Sequence, residues 1–501
     1  MGIKKYYATK DNTITNAFKI DLLTRGTGSN MGAADILEAF VIHGQTSASI
    51  NAGNAEQSRF LIQFPVTNIS SDMLAGVIPN DTSSLKFYLN LYNAPHGSTL
   101  PVDFNLDVKM LSQSWTEGTG LDMDNYSDLG VSNWISASEG VAWAATGSTY
   151  LYGANTSASA GFATGLENMR LDVSEIVYKW LDTTANYGFL VKFPDADVSG
   201  SQSEYTKKFF SRTSEYFHYR PTLEVWWDST RTDNRGNFMI SSSLAPAADN
   251  LNTLFLYNIV RGQLQNIPGL NSETLSVEIF SGSQAVTVPV VPTGSALQVV
   301  RSNGSTSTMV TGGILFENGV PVTGVYTASF ASTSSFDQIF DVWSTGSGAQ
   351  RIEYFTGSYV PKTLATADLQ YDVKYVTAIS NLQDSYPKGE TVTLRTFTRK
   401  KDWSPNIYTV ATKKIVPEII DNAYYKVYRV IDNLDVIPFG TGSQNNYYSR
   451  LSYDVSGNYF DIDTTYLEPG YAYGIKFSYF LQGTYQEQPE VFKFRIEEED
   501  L

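Results

Sequence analysis

The chain has 501 residues and no cysteine, which excludes a single small stapled module, disulfides, thiolate zinc sites, iron–sulfur clusters and cysteine nucleophiles. An acidic excess, 51 Asp and Glu against 35 Lys and Arg, gives a formal charge of −16, which repels nucleic-acid phosphates. Only 17% of residues are charged while 13% are aromatic, with 32 Tyr and 27 Phe, a balance that favours folded β structure over disorder.

From the N-terminus, Lys4 and Lys5 run into Tyr6-Tyr7-Ala8-Thr9 without the apolar centre of a signal peptide, so Sec export is not expected. Gly26, Gly28 and Gly32 miss the dinucleotide spacing, no strand precedes them to open a βαβ unit, and Ala33 to Phe40 reads equally as a strand. Period-two alternation then dominates. Phe60, Ile62 and Phe64 share one face, and Leu85, Phe87, Leu89 and Leu91 share another with Lys86, Tyr88, Asn90 and Tyr92 opposite. Phe189, Val191 and Phe193, and then Leu223, Val225 and Trp227, repeat the pattern. These are strands packed on one side.

One helix stands out. Val173, Ile176, Val177 and Trp180 fall at i, i+3, i+4 and i+7, with Asp172 as N-cap and Glu175 three residues on, so a short helix capping the open end of a sandwich is expected. Apolar runs such as Tyr187 to Phe193 are far shorter than a membrane helix, and no membrane association is expected.

After Trp226-Trp227 the polar, turn-rich Asp228 to Asn237 marks a boundary. Strands are expected again at Leu254–Tyr257, Leu275–Phe280, Ile314–Phe316, Val325–Phe330 and Ile352–Phe355, with a hairpin turn at Asn318-Gly319, two residues that tolerate positive φ. A second boundary falls near Pro361 to Ala367, followed by strands at Tyr371–Thr377, Thr391–Phe397, Tyr424–Val430, Tyr471–Tyr479 and Phe492–Ile496. Glu497-Glu498-Glu499-Asp500-Leu501 reads as a solvated, frayed acidic tail. The expectation is an all-β chain of three tandem β-sandwich domains, over 1–228, 229–365 and 366–501.

Within the first 228 residues an ordered set of segments is more specific: Ser58-Arg59-Phe60-Leu61-Ile62-Gln63-Phe64, Leu85 to Tyr92, Ser114-Trp115-Thr116-Glu117-Gly118, Asn133-Trp134, Trp143, Asp172 to Trp180, Asn186 to Val191, Phe210-Ser211-Arg212 and Arg220 to Val225. This part resembles the DNRLRE domain, a β-sandwich related to carbohydrate-binding modules and found in bacterial surface and secreted proteins. It departs from that pattern at Val198 to Lys208, which reads as an insertion, and in its first strands. The resemblance implies a jelly-roll-type first domain, and two Ig-like sandwiches are expected to follow. The chain as a whole resembles virion structural proteins of tailed bacteriophages, with Ser452 to Phe460 in keeping with that class. Such a component assembles in the host cytoplasm and acts outside it, needing neither a signal peptide nor disulfides.

Candidate chemistry is sparse. His43, His96 and His218 form no i, i+4 zinc pair, and there is no HExxH, GxxxxGK[ST] or GxSxG motif. Asp122, Asp124 and Asp128 gather loop oxygens that suit calcium, but Tyr126 and Ser127 break the EF-hand pattern and a solvated polar loop is the alternative. No cofactor and no enzyme activity are expected, since no hydrolase motif accompanies the many carboxylates. Trp115, Trp134, Trp143, Trp180, Trp226 and Trp227 fit a sandwich core or, where exposed, sugar stacking. Trp115, Trp134, Tyr471, Tyr473 and Tyr479 are the named candidates for assembly or glycan contact. The expected function is a non-enzymatic virion component, in the collar, neck, fibre or capsid decoration, acting with other virion proteins as a homo-oligomer. The alternative is an adhesin that binds host-surface glycan through the first domain.

Overall fold

The computed structural model describes residues 2–43, 55–95, 100–121, 131–241, 246–270, 274–282, 292, 294–362, 373–403, 407, 417–442 and 447–498. Strands make up 46% and helices 9% of the described residues, which makes the protein all-β. It divides into two compact units, Ile3–Trp227, and Asp228–Leu501 with Met1–Gly2.

The first unit is a sandwich of two antiparallel sheets. One has the strand order Ile3–Tyr7, Thr222–Trp226, Lys86–Leu91, Met169–Asp172. The other runs Glu204–Phe210, Ile36–Ile42, Glu56–Gln63, Phe189–Lys192, Phe104–Met110, Ser157–Phe162, with Lys10–Thr15 also pairing Glu56–Gln63. Because side chains alternate, Leu89, Leu91, Leu223 and Val225 of the first sheet meet Phe60, Ile62, Val108 and Val191 of the second in one core. The segment Val198 to Lys208, read as an insertion, supplies much of the edge strand Glu204–Phe210.

Two helices complete that core. Ser174–Asp182 buries Ile176, Val177 and Trp180. Its N-cap by backbone geometry is Val173, one residue after the expected Asp172, whose carboxylate nevertheless accepts the Ser174 N–H at 2.9 Å. The helix Val66–Leu74 was not expected; it follows Pro65 and buries only Val66 and Ile69, too short an apolar stripe to stand out among Thr, Asn, Ser and Asp.

In the second unit, six antiparallel strands run in the order Asn252–Tyr257, Val320–Phe330, Met309–Glu317, Leu275–Gly282, Gln338–Thr345, Ile352–Tyr359. All six contribute to one core around Leu254, Val277, Val310, Tyr326, Trp343 and Tyr359. The expected turn is present: Glu317 pairs Val320, and Asn318 and Gly319 take φ of 52° and 82°, both left-handed as a two-residue hairpin requires.

Toward the C-terminus, one sheet holds Tyr375–Ile379, Thr391–Lys400, Gly457–Asp463 and Ser452–Asp454, and another is centred on Ala472–Leu481 between Phe492–Glu497 and Ala423–Arg429. Rings interlock between them, Tyr425 on Phe460 at 4.4 Å and Phe460 on Phe477 at 5.7 Å. Residues 363–372, within the second expected boundary and the start of the strand at Tyr371, and 499–501 of the acidic tail lie outside the described residues.

The polar stretch after Trp227 is not a free linker. Asp233 N–H donates to Tyr453 O at 2.9 Å and Tyr453 N–H to Arg231 O at 3.0 Å, while Asn234 N–H donates to Thr253 O at 2.9 Å. Its backbone therefore joins strand Ser452–Asp454 to strand Asn252–Tyr257. The Asn234 side chain adds to this, accepting Thr253 N–H at 2.8 Å and donating to the Tyr453 hydroxyl at 2.8 Å.

Candidate functional site

The aromatic residues named as contact candidates are placed inside the chain. Trp115 and Trp134 are buried, as are Tyr473 and Tyr479, while Tyr471 is half-buried. Trp115 Nε1–H donates to Tyr187 O at 2.8 Å, and the Arg59 guanidinium lies 4.9 Å over the Trp134 ring. The Tyr473 hydroxyl bonds the backbone of Glu468 at 2.7 and 2.9 Å, the Tyr479 hydroxyl lies 2.6 Å from Thr377 Oγ1, and Arg429 covers the Tyr471 ring at 4.9 Å. The alternation in Tyr471 to Tyr479 is thus a core face of its own sheet pair, which corrects its reading as a surface for neighbouring subunits.

The other singled-out residues do not gather into a site. The His43 ring Nε2 sits 3.1 Å from Asp197 O, and His218 packs beside Phe217 at 5.5 Å. His96 and the calcium candidates Asp122, Asp124 and Asp128 lie outside the described residues. Among the described residues no group of three His, Asp or Glu side chains is arranged to hold a metal. Gly32 serves packing: a Cβ there would stand 2.2 Å from Gly118 O, so only glycine lets the two loops cross.

The most concentrated unassigned chemistry lies on the outer face of the larger sheet of the first unit. Arg59 and Leu61 of one strand stand beside Leu190 and Lys192 of the next, on the face away from the core. A loop layer carrying Trp115, Ala137 and Trp143 packs over Leu61 and Leu190. Arg59 donates Nη1–H to Gly147 O at 2.8 Å and Nε–H and Nη2–H to Gln57 Oε1 at 3.1 and 3.0 Å. Lys192, only 1% exposed, donates to Asp195 Oδ1 and lies 5.9 Å from the Tyr150 ring. Burial, with the Arg59 charge nearby, holds the Lys192 ammonium below the usual lysine range. Tyr150 is pushed up by burial and then by its hydrogen bond from Tyr152, whose hydroxyl is 3.1 Å away. Tyr152 itself is 82% exposed. The Arg59 and Lys192 donors are taken up by protein acceptors, so what this face presents to solvent is the Tyr152 ring, packed on Tyr150 at 4.8 Å, a surface on which a ligand ring can stack.

A second polar node joins distant segments. Asp11 N–H donates to Glu117 Oε1 at 2.8 Å, Arg212 grips Glu117 through Nε at 2.8 Å and Nη2 at 2.6 Å, and Arg212 N–H donates to Asp11 Oδ2 at 2.7 Å. Asp11 Oδ1 is buried without a partner. Burial raises the Asp11 carboxyl to about 7, with Glu117 adding to the rise while Arg212, through its backbone N–H and its charge, opposes it. Since the folded value exceeds the unfolded one, this group favours folding most below pH 4, and that contribution is lost as pH rises through 7. Asp11→Asn keeps an acceptor for the Arg212 N–H and removes the buried charge. It is expected to stabilise the chain at pH 8 by roughly 2–3 kcal/mol, with little gain at pH 4. Urea melts of both proteins at the two pH values check this, and a pH-independent gap would contradict it.

No protein-family model matches the chain, and no curated protein matches it.

Proposed function

We propose that the chain is a non-enzymatic structural protein of a bacteriophage particle, in the collar or neck, a fibre or the capsid decoration, acting by assembly with other virion proteins and with copies of itself. In this reading the first unit is a jelly-roll-type sandwich of the DNRLRE kind, followed by two Ig-like sandwiches, and the protein is built into virions in the host cytoplasm. The observation that carries the reading is apolar surface left on hairpins of the second unit. Ile259 and Leu264, directly paired across a two-residue turn, are 62% and 40% exposed, and Phe316, paired with Pro321, is 61% exposed. Apolar residues left exposed side by side on a hairpin are surface for a partner protein to bury.

Among the described residues no helix is long and apolar enough to cross a membrane. The glycan-binding alternative loses Trp115 and Trp134 as stacking platforms, and rests instead on the exposed Tyr152, which packs on Tyr150 at 4.8 Å.

The expected result is that the chain co-sediments with intact particles through a density gradient, and that Ile259→Asp with Phe316→Asp releases it while leaving the fold intact by circular dichroism. A chain that remains at the top of the gradient would contradict the proposal.

A further inference from the structure

The strand orders of the two sheets of the first unit have four end strands, and three carry charge. Ile3–Tyr7 has Lys4 and Lys5, and Met169–Asp172 has Arg170 and Asp172. Glu204–Phe210 has Lys208, which is partly exposed, and also breaks register between Glu204 and Lys207. Charges and bulges are what keep an open sheet edge from pairing with another chain. The fourth edge, Ser157–Phe162, reads Ser-Ala-Ser-Ala-Gly-Phe and has neither.

Its backbone phase is set by its one neighbour, Phe104–Met110. Met110 N–H donates to Thr156 O at 2.9 Å, so Thr156, Ala158 and Ala160 turn their backbone groups toward that neighbour. Ser157, Ser159 and Gly161 turn theirs outward. These three are also the exposed residues of the strand. What satisfies a row of outward N–H and C=O groups is another extended strand.

We infer that Ser157–Phe162 pairs antiparallel with the same strand of a second copy, about a two-fold axis through Ser159. In that register Ser159 faces Ser159 and Ser157 faces Gly161, so every outward group on both strands finds a partner in about six hydrogen bonds. A slip by one residue sets outward groups against inward-turned ones and loses them. Charge selects the same edge. Two copies that each carry −16 approach most cheaply where the facing strands hold only hydroxyl, methyl and hydrogen side chains, with no like charges opposed. The contact deepens the assembly reading by naming one surface of self-association, and it forms in the isolated chain whether or not that chain is part of a virion.

The absence of cysteine makes the test direct. An antiparallel hydrogen-bonded pair holds its Cα atoms about 5.5 Å apart, within disulfide reach. Under mild oxidation Ser159→Cys is expected to become a covalent dimer, Ser157→Cys to stay monomeric, and a mixture of Ser157→Cys with Gly161→Cys to crosslink again. In sedimentation velocity the unmodified chain should dimerise with rising concentration, and Ser159→Lys, which opposes two ammonium groups on the axis, should weaken this about tenfold or more with unchanged thermal unfolding. A monomer at all concentrations, with Ser159→Cys crosslinking no faster than the surface control Tyr152→Cys, overturns the inference and leaves the assembly reading standing. Dimers that crosslink in the expected pattern while particles lack the chain uphold the inference and refute that reading.

Discussion

Asp341→Ala is expected to cost the second unit about 3–5 kcal/mol. Asp341 is fully buried, and Arg235 and Asp233 beside it are nearly so. The Asp341 carboxylate accepts Arg235 Nε–H at 3.2 and 3.1 Å, Arg235 Nη2–H, and Trp343 Nε1–H at 2.6 Å. Arg235 Nη1–H also donates to Asp233 Oδ2 at 3.1 Å and to Phe255 O. Burial holds the Asp233 carboxyl above its usual range against the pull of Arg235, a sign that Asp233 alone is a poorer counter-charge. Removing Asp341 therefore leaves a buried guanidinium short of a carboxylate and an indole N–H without its acceptor. Asp341→Asn keeps one acceptor and the shape, and should cost clearly less. Guanidinium unfolding followed by tryptophan fluorescence reads both, and a loss below about 1 kcal/mol for the alanine variant would mean that the ionic cluster is dispensable.

The second large effect is expected at Lys207, in the first unit. Its buried ammonium donates to Asn93 Oδ1 at 2.7 Å and to Gly165 O and Glu167 O at 2.8 Å each, and rests on the rings of Phe162 and Phe209 at 4.9 and 4.8 Å. Burial lowers its pKa to about 8, so it is still mostly charged at neutral pH and needs all three acceptors. Gly165, at φ 81°, is the residue that allows this: a Cβ there would stand 2.4 Å from Pro101 O. Lys207→Ala should lose about 3–5 kcal/mol by opening a cavity and stranding three acceptors. Lys207→Met, which restores volume alone, should recover less than half of the loss in thermal unfolding; full recovery would show that packing, not the hydrogen bonds, holds the site.

Neither cluster is visible in the sequence, and the reason is the same for both. Asp233-Asn234-Arg235-Gly236-Asn237 has the composition of an exposed turn, and nothing local reveals that the partner of Arg235 lies 106 residues on. Lys207 likewise looks like a surface residue until Asn93, 114 residues earlier, is placed against it. Signals that act within a few residues were legible. The Asn318-Gly319 turn follows from the φ those residues tolerate, and the helix Ser174–Asp182 from its apolar spacing. Tyr471 to Tyr479 shows the limit between these cases. Alternation marks a one-sided apolar strand, and whether that side meets its own chain or a neighbour depends on the opposite sheet, where Thr377 and Phe460 receive Tyr479 and Phe477.

Whether this chain is a repeated part of a virus particle is decided by quantitative mass spectrometry of purified particles from the culture that produces it. Peptides from both units are expected at a fixed stoichiometry to the major capsid protein, in several copies per particle and resistant to high-salt washing. Particles free of its peptides, with the chain confined to the soluble fraction, would contradict it.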